Sequence, residues 1–410
     1  VLRLTSVPAS ERGAAATVRR VVISLGTAQT LAWASTYYLP AILAGPMAHD
    51  LGLTPSAVFA TFSAALILSA LLGPVVGRTI DRSGGRRVLA LSNLVFAAGL
   101  VALGSAQGGV TMLTAWLLLG VGMAMGLYDA GFATLAGLYG RNARGPITGI
   151  TLLAGFASTI GWPLSAVMEE AFGWRGACLG WAALHLCLGL PLNALLVPNA
   201  PPPERQAAVV SDAAPPSRFA MPLLAFVFAA TWFVTGAMAA HLPVLLREAG
   251  ASPVGAVAAA ALIGPAQVAA RLAEFGLLRR FHPLVSARLA TLGHPLGALV
   301  LLMFGGGAAS AFAVLHGMGN GVLTIAKGTL PLAVFGPNGY GARQGILAAP
   351  ARILQATAPF LFGVLLEWSG VASALGLTTC LSLLAALALL ALRPAQPESA
   401  ATLAPASRPE

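Results

Sequence analysis

Gly77-Arg78-Thr79-Ile80-Asp81-Arg82-Ser83-Gly84-Gly85-Arg86-Arg87 sets four arginines and an aspartate between two long apolar runs, 56–77 and 87–105. Each run has about the 20 residues that a helix needs to cross the hydrocarbon of a bilayer. A short basic connection between two such runs reads as a loop on the cytoplasmic side of a membrane. Moving outward from it, the same alternation predicts spans at 20–43, 56–77, 87–105, 110–138, 146–168, 176–197, 219–246, 254–278, 284–304, 308–335, 345–366 and 370–393.

Composition excludes the other classes. Of 410 residues, 57% are apolar and only 9% charged, against roughly 25% charged in a soluble domain. Too little charge is present to solvate a globule or to keep a chain disordered. The apolar runs are unbroken, whereas barrel strands alternate over about 10 residues. The expectation is an all-α membrane protein with twelve transmembrane helices in two six-helix, pseudo-symmetric bundles. Its units are a cytoplasmic segment 1–19, an N-terminal bundle 20–197, a linker 198–218, a C-terminal bundle 219–393 and a tail 394–410. The linker holds PNAPPPERQ and SDAAPPSR, which cannot continue a helix.

The net charge of +10 is the basic excess of cytoplasmic loops and not a nucleic-acid footprint. Arginines gather before span 1 and in the 2–3, 4–5, linker, 8–9 and 10–11 connections, while Arg175 and Arg247 stand alone at the other end. Both termini are therefore expected in the cytoplasm. The basic start followed by a long run from Val21 reads as a first span, not a signal peptide. Richness in Ala, Gly and Arg, with one lysine, suggests a GC-rich bacterial genome and hence an inner membrane. Cys178, Cys187 and Cys380 fall inside apolar runs, so no disulfide is expected.

The halves echo each other in order: Tyr38-Leu39-Pro40 with His241-Leu242-Pro243, Gly52…Pro55 with Gly250…Pro253, Gly73-Pro74 with Gly264-Pro265, Gly122-Met123 with Gly317-Met318, Arg144-Gly145 with Arg343…Gly345, and Pro163 with Pro359. Such a parallel repeat is typical of transporters with a central site between halves.

The 77–87 stretch resembles the loop signature G-x-x-x-D-R-x-G-R-R of the major facilitator superfamily, with Gly85 where that family usually has a basic residue. The resemblance spans the chain. It implies alternating access, with Gly77, Asp81, Arg82, Gly84, Arg86 and Arg87 as the gating loop. Asp81 would cap a helix of the other half, and the arginines would brace the outward-facing state. The arginine of many proton-coupled drug exporters is missing from Trp116–Gly122, and Trp162 interrupts their helix 5 G-P pair between Gly161 and Pro163.

Five charged residues lie deep inside predicted spans, where each costs about 2.5–3.5 kcal/mol at the bilayer centre: Asp129, Arg271, Glu274, Lys327 and Arg352. Lys327 reads as a cationic anchor for an anionic substrate, or as a structural pair with Asp129 or Glu274. Arg271 and Glu274, three apart, can pair on one helix face, and Arg352 can reach the interface as an anchor. Together Arg271, Lys327 and Arg352 suit a carboxylate or oxyanion. Arg271 in helix 8 and Arg352 in helix 11 (one residue out of register) resemble the pair of the oxalate/formate antiporter and monocarboxylate porter branch. Asp129 is placed to bridge to Lys327, to carry a coupling proton with Glu274 as a second acid, or to make a structural bond.

Tyr37, Tyr38 and Asn320 are the polar candidates for the substrate wall, with Gln29, Trp33, Ser35 and Thr36 in the same stripe. His185, His241 and His316 are candidate proton carriers or ordinary hydrogen-bonding groups. No phosphate-binding Gly-Lys-Ser/Thr loop, CxxC or HExxH occurs, so no catalysis, cofactor or metal is expected. The expected partners are a small, anionic substrate and the lipid bilayer, with no nucleic acid, for a monomer driven by protons or counter-anion exchange. Proton-driven efflux of a drug or toxic compound is the alternative transport reading. A receptor or scaffold that transports nothing is the rival from another class.

Overall fold

The computed structural model describes residues 9–199 and 217–392. The expected linker thus lies largely, and the tail wholly, outside the described residues, whereas residues 9–19 of the expected first segment are described and belong to the first helix. Helix makes up nearly all of what is described, with no strand among it. The α-helices are α1 Ala9–Ser35, α2 Pro40–Asp50, α3 Pro55–Ser83, α4 Arg86–Gly104, α5 Gly109–Gly126, α6 Tyr128–Tyr139, α7 Arg144–Ala154 and α8 Ala157–Leu184, then α9 Ala220–Glu248, α10 Pro253–Ala261, α11 Ile263–Gly276, α12 Pro283–Phe304, α13 Ala309–Phe335 and α14 Tyr340–Ala391.

Among the described residues, seven helical runs are long and apolar enough to cross a membrane. One of them, Gly109–Leu196, holds 88 residues, several times a bilayer's thickness at 1.5 Å per residue. It doubles back at Gly140 and Gly173, whose φ of 53° and 69° only glycine adopts without strain. Gly336 and Gly370 do the same in the second half, at φ 72° and 73°, so the reversals recur 196 and 197 residues on. Caps recur likewise. Thr54 accepts a hydrogen bond from the Ala57 amide at 3.2 Å, and Ser252 accepts one from Gly255 at 3.1 Å. Each is followed by a proline at the first helical position, where the missing N–H costs nothing.

Four expected spans are interrupted. The first breaks between Ser35 and Pro40, the fourth at Leu127, whose backbone is extended (φ −86°, ψ −172°), the fifth at Gly155-Phe156, and the eighth at Leu262. Such breaks are tolerated at membrane depth only where protein or a polar cavity satisfies the freed groups. The Leu127 break has a direct consequence: Asp129 falls in the first turn of α6, where unpaired amides stabilise a carboxylate.

Two large hydrophobic clusters draw mainly on α1–α8 and two on α9–α14. Leu332 and Tyr340 cross over to join the first set. The two parts meet along α3 and α14 through glycines at matched spacing, Gly73/Gly77 against Gly341/Gly345. A Cβ built on Gly77 would lie 1.9 Å from the Gly341 carbonyl oxygen, and one on Gly345 would lie 2.5 Å from the Gly73 backbone. Only backbone fits at this crossing, as in small-xxx-small helix pairs.

Candidate functional site

Asp129 is the centre of a buried ion cluster built from five helices, α3, α6, α9, α13 and α14. Its Oδ1 lies 3.0 Å from Lys327 Nζ on α13, and its Oδ2 accepts from Arg352 Nη2 on α14 at 2.6 Å. Gln344 Nε2, also on α14, donates to Oδ1 at 3.1 Å. Arg352 donates through Nη1 to Ser69 on α3. The Lys327 ammonium lies 4.9 Å from the ring centre of Trp232 on α9, a distance at which the ring's negative face attracts a cation. Asp129, Lys327 and Arg352 are each under a tenth exposed. One carboxylate thus serves two cations, leaving the cluster one positive charge in excess.

Small residues let these groups approach. A Cβ on Gly328 would strike Phe132 and Ile147 at 2.8 Å, and the Gly328 carbonyl accepts from the Tyr340 hydroxyl at 2.7 Å. Tyr37 is tied across the halves too, accepting from Gln355 Nε2 at 2.9 Å.

Arg271 lies elsewhere than the Asp129 cluster and does not pair with Glu274. Its guanidinium reaches Gln267 Oε1 at 3.3 Å and the Thr151 carbonyl at 3.5 Å, packing against Gly155 at the α7–α8 break. It meets no carboxylate among the described residues, and its buried Nε has no hydrogen-bond partner. Glu274 instead binds Arg144 of the first half at 2.8 Å. Helix periodicity reports same-face neighbours, but the facing half supplies a stronger partner. Asn320 also stands away from the cluster. Its Oδ1 accepts from Thr235 at 3.0 Å, beside a cavity of about 20 Å³ within the second half, enough for a single water.

The basic connection closes the end of the molecule where it lies. Asp81 accepts from the amides of Gly341 and Ala342 at 2.7 and 2.8 Å, so it sits on the N-terminus of α14 and binds its exposed donors. Gly77 makes the backbone contact with Gly341, and Gly84 ends α3 at φ 77°. Arg86 turns back into its own half, donating to the Ala194 carbonyl at 2.6 Å. Arg82 and Arg87 are exposed on this face. Arg144 adds a bond to the Phe281 carbonyl at 2.5 Å. Nearby, His282 Nδ1 accepts from the Leu284 amide at 3.2 Å and caps α12. Partial burial, then the charges of Arg144 and Arg288, hold its imidazole pKa below the usual value.

The histidines are engaged. His185 lies between Ser35 (2.7 Å) and Asn93 (2.9 Å), His241 meets the Pro359 carbonyl at 2.7 Å, and His316 faces His294 at 3.1 Å. Sequence reasoning did not find Ser69, Gln344, Gln355, Trp232 or the partner of Glu274. The G-x-x-x-G spacings 73/77 and 341/345 are a signal in the sequence that could have marked the close helix contact, and it was not read there.

Comparison with known proteins gives a consistent frame. The sequence profile of the Major Facilitator Superfamily matches residues 25–313. Among solved structures, the human organic anion transporter MFSD10 (TETRAN) superposes with a TM-score of 0.70 at 17% identity, covering 91% of this chain and 99% of that one. The proton:xylose symporter XylE superposes at 0.69 and 15% identity, over 89% and 94%. FucP, solved in the outward conformation, gives 0.65 at 13%, over 90% and 97%. At these identities the likeness is one of fold.

Proposed function

The chain belongs to the major facilitator superfamily, a family of multi-pass membrane transporters, and from that premise we propose that it moves a small organic or inorganic anion by alternating access. The observation that carries this is the single carboxylate shared by two buried cations, Asp129 between Lys327 and Arg352, at the seam between the halves. An anion entering the seam meets an excess positive charge. It competes with Asp129 for the same two donors, one of them a planar fork suited to a carboxylate.

The same competition supplies coupling. A proton on Asp129 removes the charge that holds Lys327 and Arg352, and an incoming anion replaces it. Proton and anion then bind cooperatively and cross together. Alternatively one anion replaces another, and the transporter exchanges them. In either mode the contacts that close one end, Asp81 on α14 and Arg144 with Glu274, must break as the halves rock. The arginine asymmetry of the loops puts that end in the cytoplasm, so the described conformation is closed to the cytoplasm. This reading shares Arg352 with the pair of the oxalate/formate antiporter and monocarboxylate porter branch but sets Lys327, not Arg271, beside it, and a bacterial inner membrane is its proposed location.

The test is uptake into proteoliposomes preloaded with formate, oxalate, lactate or phosphate, comparing wild type with Lys327→Gln. Flux of one anion that disappears in the variant is the expected result. Absence of any anion flux, with proton-driven flux of a lipophilic cation intact in both proteins, overturns the proposal in favour of efflux through Asp129.

A further inference from the structure

Each group that binds the Asp129 carboxylate does so as a donor. Lys327 Nζ and Gln344 Nε2 meet Oδ1, and Arg352 Nη2 meets Oδ2. Lys327 from α13 and Arg352 from α14 are the charged side chains paired with it among the described residues. Other ionisable groups on the elements packed against α6 are engaged elsewhere. Asp81 holds the α14 amides, Arg144 holds Glu274, and the Tyr340 phenol donates to the Gly328 carbonyl. The loop arginines are exposed or bound to carbonyls. From α3, Ser69 is bound to Arg352.

This setting suits one charge state of Asp129 and not the other. An ionised carboxylate only accepts, so three donors satisfy it. A protonated carboxyl also donates, and its O–H needs an acceptor. Neither an ammonium nor a guanidinium has an acceptor to offer. Gln344 has one. It is fully buried, and its Oε1 has no hydrogen-bond partner, an uncommon state for a buried polar atom. Its backbone is fixed, because Gly345 packs on the Gly73 backbone and Asp81 binds the amides of Gly341 and Ala342. Its terminal torsion is not fixed in the same way, since a side-chain amide turns over a broad, roughly two-fold profile. A half-turn sets Oε1 where Nε2 stands, 3.1 Å from Asp129 Oδ1. In either orientation one end of the amide is bound and the other is not.

We infer that Gln344 is a positioning residue for the coupling proton: its amide donates to ionised Asp129 and, after a half-turn, accepts from the protonated acid. This rests on the proton-coupled form of the anion reading and adds the residue that lets Asp129 change charge in place. One O–H bond forms at Oδ1 when the proton arrives, and the incoming anion takes over Lys327 and Arg352. Hydrogen bonds between charged groups are roughly twice as strong as neutral ones. Loading therefore weakens the hold of α14 on α6 while the acid keeps its register against Gln344, and the seam is freed to open.

Infrared pH titration of the full-length protein in liposomes tests this, with formate, oxalate, lactate and phosphate added in turn. The C=O band of protonated Asp129 is identified as the one that moves in Asp129→Glu. Gln344→Met keeps the side chain's length and removes its acceptor. The pH at which the band reaches half its height should fall by about one unit or more, a tenfold loss of proton affinity. Gln344→Glu restores an acceptor, and its midpoint should stay at the wild-type value or above it. A residue that only donates to the carboxylate predicts a raised midpoint in Gln344→Met, and a mere prop predicts an unchanged one. Either result overturns the inference, as does an equal fall in Gln344→Glu. Absence of a protonated band with all four anions overturns it too. The uptake experiment then separates the two readings: anion flux leaves exchange standing, and no flux removes the anion reading as well.

Discussion

Replacing Gly77 with alanine should prevent the closed arrangement of the halves. The added Cβ would lie 1.9 Å from the Gly341 carbonyl oxygen, whereas carbon and oxygen settle no closer than about 3.3 Å. The helices must therefore part by about 1.4 Å at this point. The obstacle is backbone, so no side chain can swing aside. Extra methyls in packed interiors cost about 1–3 kcal/mol, and every 1.4 kcal/mol is about a tenfold change in population. Gly73 is an internal control, because its Cβ would meet Gly345 at an ordinary 3.5 Å. Spin labels on cysteines introduced at Ser83 and Asn338, both exposed and on opposite halves, report the separation by electron–electron double resonance. Gly77→Ala should move the distribution to longer distances, and Gly73→Ala should leave it in place. An unchanged distribution for Gly77→Ala, or an equal shift for both, would refute the claim that the α3–α14 glycine contact closes this end.

Three further outcomes are expected. Asp129→Asn leaves two buried cations without a counter-charge and should cost about 3–5 kcal/mol of stability, whereas Lys327→Met leaves the pair with Arg352 intact and should cost less than half as much; melting temperatures in one detergent compare them, and the reverse order contradicts the shared-carboxylate geometry. Arg144→Ala and Glu274→Gln should be non-additive by about 1 kcal/mol or more in a double-mutant cycle on thermal stability, and simple additivity would show that their contact across the halves contributes nothing. His282 has a folded pKa below its ordinary 6.5, so the unfolded chain takes up the proton first. Its contribution is present above about pH 6.5 and is lost as pH falls from there towards the folded value. His282→Asn, a neutral cap, should flatten the fall in melting temperature between pH 7.5 and 5.5, and an equally steep fall would exclude His282 as its source.

The helical membrane class was legible because apolar runs of spanning length carry their own signature, and the 77–87 connection carried the family. The intramembrane charges were legible as a set because such residues are rare. The pair of Lys327 with Asp129 was among the alternatives they offered, and the structure has it; the other pairings were not legible. Glu274 has an arginine three residues away on its own helix, yet its partner Arg144 is 130 positions distant, and local spacing carries no information about a facing half. The setting of Asp129 was hidden for another reason. The break at Leu127 involves neither proline nor a glycine with positive φ, so nothing nearby announced that Asp129 begins a helix. Ser69 and Gln344 are neutral residues that matter only because Arg352 and Asp129 arrive beside them.

Lys327 is the single lysine among 410 residues, and this gives the protein an intrinsic clock. Any acylating reagent aimed at side-chain amines has one target in the chain. In the described conformation that amine is buried, bound to Asp129 and set against the face of Trp232. Acylation must therefore wait until the seam opens and the carboxylate lets go. The rate at which one mass increment appears on the peptide holding Lys327 would then time the excursion itself, on the unaltered sequence, and a substrate that occupies the seam would slow it.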